Sequence, residues 1–264
     1  MRIFVMHKSV VITACIALFL SVFVTVFFVA EDTPTAGEAG KDLPIYSVET
    51  EDRKVAVTFN CAWNDTDIDK ILACLAERNV KCTFFAVGTW LEKYPEAAKK
   101  LVAAGHELAS HSYNHAHYNQ LSKEEMLADM EKCDALLADL GAAPGLFRAP
   151  YGEYNALLVQ TCKESGRYTI QWDIDSLDWK GISPQEMENR ILPRLRCGSI
   201  ILFHNGTEQT ADALPAILDR IISEGYACTT VGELIYREDY IINHEGRQNK
   251  IENIESIVKT TNFN

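Results

Sequence analysis

Two histidines stand four residues apart in His111-Ser112-Tyr113-Asn114-His115, directly after the strand-like segment Glu107–Ser110. Neutral imidazole is a good ligand for zinc and similar divalent metals, and two rings at this separation on one turn face a common point. By itself such a pair also occurs by chance on polar surfaces. Four further polar clusters shift the balance: Asn60 with Asp65 and Asp67, then Arg148, then Asp173, Asp175 and Asp178, and finally His204. Each falls at the end of a strand-like run. Taken singly they have ordinary readings, Arg148 as a surface ion pair, Asp175 as a turn former or cap, His204 as a core histidine. Taken together at one end of a barrel they describe a metal-assisted hydrolytic site, with a Lewis acid, an arginine, carboxylates and a second histidine able to serve as general acid. His117 reads as a solvated neighbour and His106 as a satisfied strand histidine.

Such convergence needs a scaffold. Val55–Phe59 reads as one buried strand and Thr83–Val87 as the next, with Ile68, Ile71, Leu72 and Leu75 at helical spacing between them, which makes a β-α-β unit. Strands are then expected around Glu107–Ser110, Leu146–Arg148, Tyr168–Trp172, Ser199–Phe203 and Ala227–Val231. Helices are expected around Pro95–Ala103, Lys123–Leu140, Tyr154–Glu164, Pro184–Leu195 and Thr210–Ser223. This alternation predicts an α/β fold with a mostly parallel sheet, and six or seven units predict closure into a barrel or near-barrel with reactive groups at the C-terminal strand ends. Thr33, Pro34, Gly37, Gly40 and Pro44 mark residues 31–50 as a linker, so the domain is expected over 51–238 and a polar tail or peripheral helix over 239–264.

The 264 residues suit one domain, and 47% hydrophobic with 23% charged residues excludes collagen-like, low-complexity and wholly disordered chains. A net charge of -12 without a long basic cluster excludes a partner recognised through a phosphate backbone, so no nucleic acid is expected. Ser9–Ala30 forms an uncharged run of 22 residues, preceded by Arg2, His7 and Lys8 and followed by Glu31 and Asp32. About 20 apolar residues cross a bilayer as a helix, whereas the apolar part of a cleaved signal peptide is about 7–15 residues, so a retained anchor over 1–30 is favoured. The basic flank places the N-terminus in the cytoplasm and the rest outside, giving a single-pass protein of the cell membrane with an extracellular domain. The cysteines contain no C-x-x-C pair and mostly sit in apolar patterns, so they read as small buried hydrophobes rather than a bridged framework.

The ordered series Thr58-Phe59-Asn60-Cys61-Ala62-Trp63-Asn64-Asp65, His111-Ser112-Tyr113-Asn114-His115, Arg148-Ala149-Pro150-Tyr151-Gly152, Asp175-Ser176-Leu177-Asp178-Trp179 and Ile201-Leu202-Phe203-His204-Asn205 resembles the five motifs of the polysaccharide deacetylases. These are the family 4 carbohydrate esterases, or NodB-homology domains. The resemblance spans roughly 54–236, and the Ala62-Trp63 variant is similar to the branch of sporulation and cell-wall peptidoglycan deacetylases. It implies a distorted (β/α)7 barrel that removes N-acetyl groups from amino sugars of peptidoglycan or chitin-like chains with a divalent metal such as zinc. By the same resemblance His111 and His115 bind the metal, Arg148 orients the base, His204 is the general acid and Asp175 tunes it. Tyr151 offers a backbone amide to the oxyanion, and Trp179 and Leu202 wall the acetyl pocket.

The first motif departs from the family's Thr-Phe-Asp-Asp, whose aspartates are the base and the third metal ligand; Asn60 and Cys61 hold those positions. A neutral carboxamide does not accept a proton at physiological pH. Asp65 or Asp67, carried by the longer loop, is the expected third ligand or surrogate base, ahead of a Cys61 thiolate. Three readings follow: an active extracellular deacetylase using Asp65 or Asp67, a weakened or inactive member that still binds cell-wall glycan, or an anchored structural protein of the envelope.

Overall fold

The computed structural model describes residues 42–251. The apolar run 9–30, most of the expected linker and the end of the expected tail lie outside the described residues. Among those described, no helix is long and apolar enough to cross a membrane.

Among the described residues eleven strands appear in chain order: β1 (Ser47–Val48), β2 (Lys54–Cys61), β3 (Thr83–Ala86), β4 (Glu107–Ser110), β5 (Leu146–Phe147), β6 (Tyr168–Thr169), β7 (Ile174–Asp175), β8 (Ile200–His204), β9 (Ala227–Thr229), β10 (Tyr240–Ile242) and β11 (Arg247–Lys250). The helices are α1 (Ile68–Glu77), α2 (Gly88–Lys93), α3 (Pro95–Ala103), α4 (Lys123–Asp139), α5 (Ala156–Glu164), α6 (Pro184–Ile191), α7 (Thr210–Ser223) and α8 (Val231–Leu234). The main sheet runs β6-β5-β4-β3-β2-β8-β7, with β9 also on β2, and every pairing in it is parallel. The expected barrel is therefore present as a half-barrel, open between β6 and β7. Ile45 enters that opening, taking a hydrogen bond from Gln171 N–H and giving one to the Thr169 carbonyl, both 2.8 Å.

The central strand β2 decides which side chains face the site. Val55, Val57, Phe59 and Cys61 belong to the larger apolar cluster with α1 and α7, and alternation along the strand sends Thr58 and Asn60 to the opposite face. Phe59 stacks between Phe84 (centroids 4.9 Å apart) and Phe203 (5.6 Å). Burial of each such ring contributes about 2 kcal/mol, enough to hold the strand register. That register sets Asn60 beside both Phe85 and His204. Two helices are fixed at their starts: Ser122 with Glu125 and Ser183 with Glu186 form capping boxes on α4 and α6.

The domain boundaries differ from the sequence expectation of 51–238. β1 pairs in parallel with β11, and β10 antiparallel with β11, so residues from the expected linker and the expected tail complete the fold. The polar character that suggested a tail is consumed internally. Buried Gln248 takes Tyr236 N–H and donates to the Tyr236 carbonyl, and Arg247 pairs with Glu49 and donates to the Cys197 carbonyl. Gly198 (φ +77°) lets the chain pass Val48, whose carbonyl a Cβ would meet at 1.8 Å. Among the described residues all seven cysteines are free thiols; five are buried, as small hydrophobes should be, and Cys197 and Cys228 are half-buried.

Candidate active site

His111 leaves the end of β4 and is 1% exposed. Its ring Nδ1 lies 2.7 Å from the Arg148 carbonyl oxygen. A carbonyl only accepts, so Nδ1 carries the proton and Nε2 keeps its lone pair for the site. His115 sits at φ +55°, held by its N–H on Ser112 Oγ at 2.9 Å, with its ring 5.1 Å from that of His111. Burial, then the neighbouring His115, pushes His111 well below the usual imidazole range; burial, then His204, lowers His115. Both are neutral at pH 7 and suited to ligate. His117 is engaged elsewhere, 3.1 Å from Glu153 and stacked on Tyr151 at 4.2 Å. His106 takes Cys82 N–H on its ring nitrogen, the structural role expected of it.

Arg148 follows β5 and is fully buried. It donates from Nη1 to Thr58 Oγ1 (2.9 Å) and Asn60 Oδ1 (3.1 Å) and from Nη2 to the Gln171 carbonyl (3.1 Å). The guanidinium lies 3.9 Å above the Phe85 ring, and its Nε has no acceptor. Among the described residues no carboxylate pairs with it, and burial pushes it down to about 9. Asn60 stands where the resemblance places the base, with its oxygen turned to Arg148.

His204, at the end of β8, is held by Asp178. The carboxylate lies 2.8 Å from His204 Nδ1, takes the His204 backbone N–H at 2.6 Å, and also receives Thr210 Oγ1 (2.6 Å) and Trp179 N–H (2.8 Å). The assignment of Asp175 to this role is thus corrected: its side chain accepts Leu177 N–H at 2.8 Å and caps the turn. Asp178 lies three residues on, in the short 3-10 turn that brings it beneath the imidazole. Asp173 ties strands together through Ile200 N–H and Ser199 Oγ.

The expectation that Asp65 or Asp67 completes the metal site is also corrected. Asp67 takes Gly206 N–H at 2.7 Å, which joins its loop to the one after His204. Burial raises its pKa. Asp65 starts α1 through its backbone carbonyl, which accepts Ile68 N–H at 3.2 Å. Cys61 lies in the apolar layer facing the helices, and burial pushes its thiol well up. Among the described residues no three His, Cys, Asp or Glu side chains converge as a metal set. Two imidazoles alone do not fit a catalytic zinc site, which draws three protein ligands.

Of the expected substrate contacts, Leu202 is buried on the same face of β8 as His204, and Tyr151 and Trp179 are exposed. Tyr151 adopts φ +60° and sets its ring 4.5 Å from His115. Sequence reasoning missed Thr58 and Gln171 as supports of Arg148, and Trp63, whose indole stacks on His204 at 5.4 Å. The one available signal for Trp63 was its place in the first motif's altered segment.

The polysaccharide deacetylase family model matches residues 47–170. The uncharacterized protein YlxY of Bacillus subtilis is 32% identical over 193 residues, 73% of this chain and 60% of that protein. A peptidoglycan-N-acetylglucosamine deacetylase of Bacillus cereus is 32% identical over 183 residues, 67% of this chain and 66% of that protein. The chain therefore spans about two thirds or less of the length of these two relatives. Among solved structures, the Bc1960 peptidoglycan N-acetylglucosamine deacetylase superposes with a TM-score of 0.70 at 30% identity, covering 72% of this chain and 92% of that one. Wild-type BA3943 of Bacillus anthracis, described as a CE4 family pseudoenzyme, superposes with a TM-score of 0.71 at 27% identity, covering 79% and 73%. A BA3943 mutant described as having restored enzymatic activity gives 0.71 at 29%, covering 74% and 72%.

Proposed function

This chain belongs to the polysaccharide deacetylase family, and from that premise we propose that it holds N-acetylated cell-wall glycan in the family's cleft with hydrolysis of the acetamide strongly impaired. The observation that carries the reading is Asn60: its oxygen accepts from buried Arg148, and among the described residues no carboxylate takes its place. Loss of a general base costs about 10²–10⁴-fold in rate. The missing third ligand beside His111 and His115 acts in the same direction. The apolar run 9–30 would fasten the domain to the outer face of the cell membrane, within reach of peptidoglycan.

A second reading, a slow hydrolase, draws on the His204–Asp178 pair. An imidazole oriented by a carboxylate is equipped to protonate a leaving amine. One experiment separates the two. The purified chain, with and without added zinc, is incubated with insoluble peptidoglycan and with an N-acetylglucosamine tetramer, and both retained protein and released acetate are measured. Retention without acetate above the uncatalysed background is expected. Multiple turnovers of acetate per chain would select the hydrolase, and neither retention nor acetate would remove both.

A further inference from the structure

Trp63 is absorbed by neither the metal pair nor the acid–carboxylate pair. Its indole lies on the imidazole of His204, centroids 5.4 Å apart and planes 27° apart, yet the residue is 49% exposed. Half an indole left in water forfeits burial that a core position would give, so its place needs a reason. The loop holds it there. The neighbouring Asn64 carbonyl accepts from Trp90 Nε1 at 3.3 Å and from the Asn205 side-chain amide. Asn64 Oδ1 accepts Thr66 N–H at 3.1 Å, and Asp67 accepts Gly206 N–H at 2.7 Å. Gly206 sits at φ +73°, where a Cβ would meet Asn64 Nδ2 at 3.0 Å. The Trp63 loop and the loop after His204 are therefore stapled together, and one face of the indole is presented ready-made beside the site.

The other exposed aromatics share this location. Tyr151 (57% exposed) packs against His115 and His117, and Trp179 (49% exposed) follows Asp178. The exposed large aliphatic residues Leu157, Ile222, Ile241 and Ile251 lie on other elements. Separate flat rings bordered by hydrogen-bonding side chains suit a ligand with an apolar face and a polar rim, which is a pyranose.

We propose that Trp63 is a sugar-stacking platform, on whose free face one pyranose ring of an N-acetylated amino-sugar oligomer lies while the adjoining residue of the oligomer reaches the histidines. The assignment rests on the glycan-binding reading above. It makes Trp63 a specificity-determining residue of this chain, independent of turnover.

The test titrates the full chain with an N-acetylglucosamine tetramer by calorimetry, in wild type, Trp63→Ala, Trp63→Phe and Trp179→Phe. An aromatic stacking contact is worth about 0.5–1.5 kcal/mol, so Trp63→Ala should bind about two- to twelvefold more weakly with its melting temperature unchanged. Trp63→Phe should stay within about threefold of wild type. Sugar should also shift indole emission in Trp179→Phe, and the shift should be lost in the Trp63→Phe/Trp179→Phe double variant; this readout holds even where Trp63→Ala does not fold. Wild-type affinity in Trp63→Ala, or an emission shift that survives in the double variant, overturns the platform and leaves glycan binding standing. A wild-type chain that neither binds the tetramer nor is retained by peptidoglycan overturns both.

Discussion

Replacing Asn60 by aspartate should stabilise the fold, because it gives a counter-ion to a guanidinium that has none among the described residues. Burial holds Arg148 down from 12.5 to about 9; at about 1.4 kcal/mol per tenfold change in proton affinity, keeping that charge inside costs about 5 kcal/mol at neutral pH. A carboxylate oxygen in the place of Asn60 Oδ1, 3.1 Å from Nη1, attracts it by about 5 kcal/mol at an effective dielectric of about 20. The carboxylate's own desolvation offsets several kcal/mol of this, leaving about 2 kcal/mol. The carboxyl's folded pKa would lie below its ordinary value of about 3.9. The gain is then complete above that pH and is lost only as pH falls through the lower, folded value. Between pH 5 and 8 both groups keep their charge, so the gap should be constant there. Urea denaturation of both chains at pH 5, 7 and 8 reads this directly. A variant no more stable than wild type at pH 7, or a gap that changes between pH 5 and 8, would refute the account of Arg148 as an unpaired buried charge.

Asp178→Asn should cost about 2–3 kcal/mol, since an amide nitrogen must face donors that a carboxylate now accepts. Asp175→Asn should stay within about 0.5 kcal/mol, and chemical denaturation of the two compares the roles. After dialysis into metal-free buffer, elemental analysis should find well under one zinc per chain; a stoichiometric metal would mean that the ligand set extends beyond the histidine pair and its described neighbours. Burial, then Lys81, lowers His106 to about 4. Its neutral folded form contributes stability that is complete above about pH 6.5 and lost as pH falls toward 4, about 2 kcal/mol over that range. His106→Gln should remove this part of the acid sensitivity, measured as the difference between the two stability profiles from pH 7 to 4.5.

Elements with strong local signals were legible from residues alone. β2, β4, α3 and α7 fall where periodicity places them, because a buried parallel strand is a continuous apolar run and an amphipathic helix repeats its apolar positions. Strands of two residues, β5 to β7, carry too little pattern to bound. β11 was invisible because its polar Arg247 is satisfied by partners about 200 residues earlier, Glu49 and Ser47, and β10, three residues long, has its place only through pairing with β11. At the site, the residue types and strand ends were legible and the pairings were not. Three aspartates within six positions offered no local reason to prefer Asp178, whose role depends on a turn folding back under β8. Asp67 looked available until the 205–206 loop provided N–H groups for it to hold.

The way catalysis is impaired in this reading leaves the fold undisturbed, and that bears on what the site is kept for. Positions 60 and 61 lie on opposite faces of β2, so Cys61 joins the apolar layer while Asn60 still accepts from Arg148; neither replacement opens the core. Maintaining the loops around the histidines is costly. Of the six described non-glycine residues at positive φ, four are Ser112, His115, Tyr151 and Leu177, each costing on the order of 1 kcal/mol. Strain of this kind persists only where the surroundings impose it, and here they impose it at a site whose base is a carboxamide. In this reading a proton-transfer requirement does not account for that, since Asn60 stands in place of the proton acceptor. A requirement for shape does: the left-handed residues set exposed Tyr151 against half-buried His115, and they continue to define a surface that a glycan can occupy.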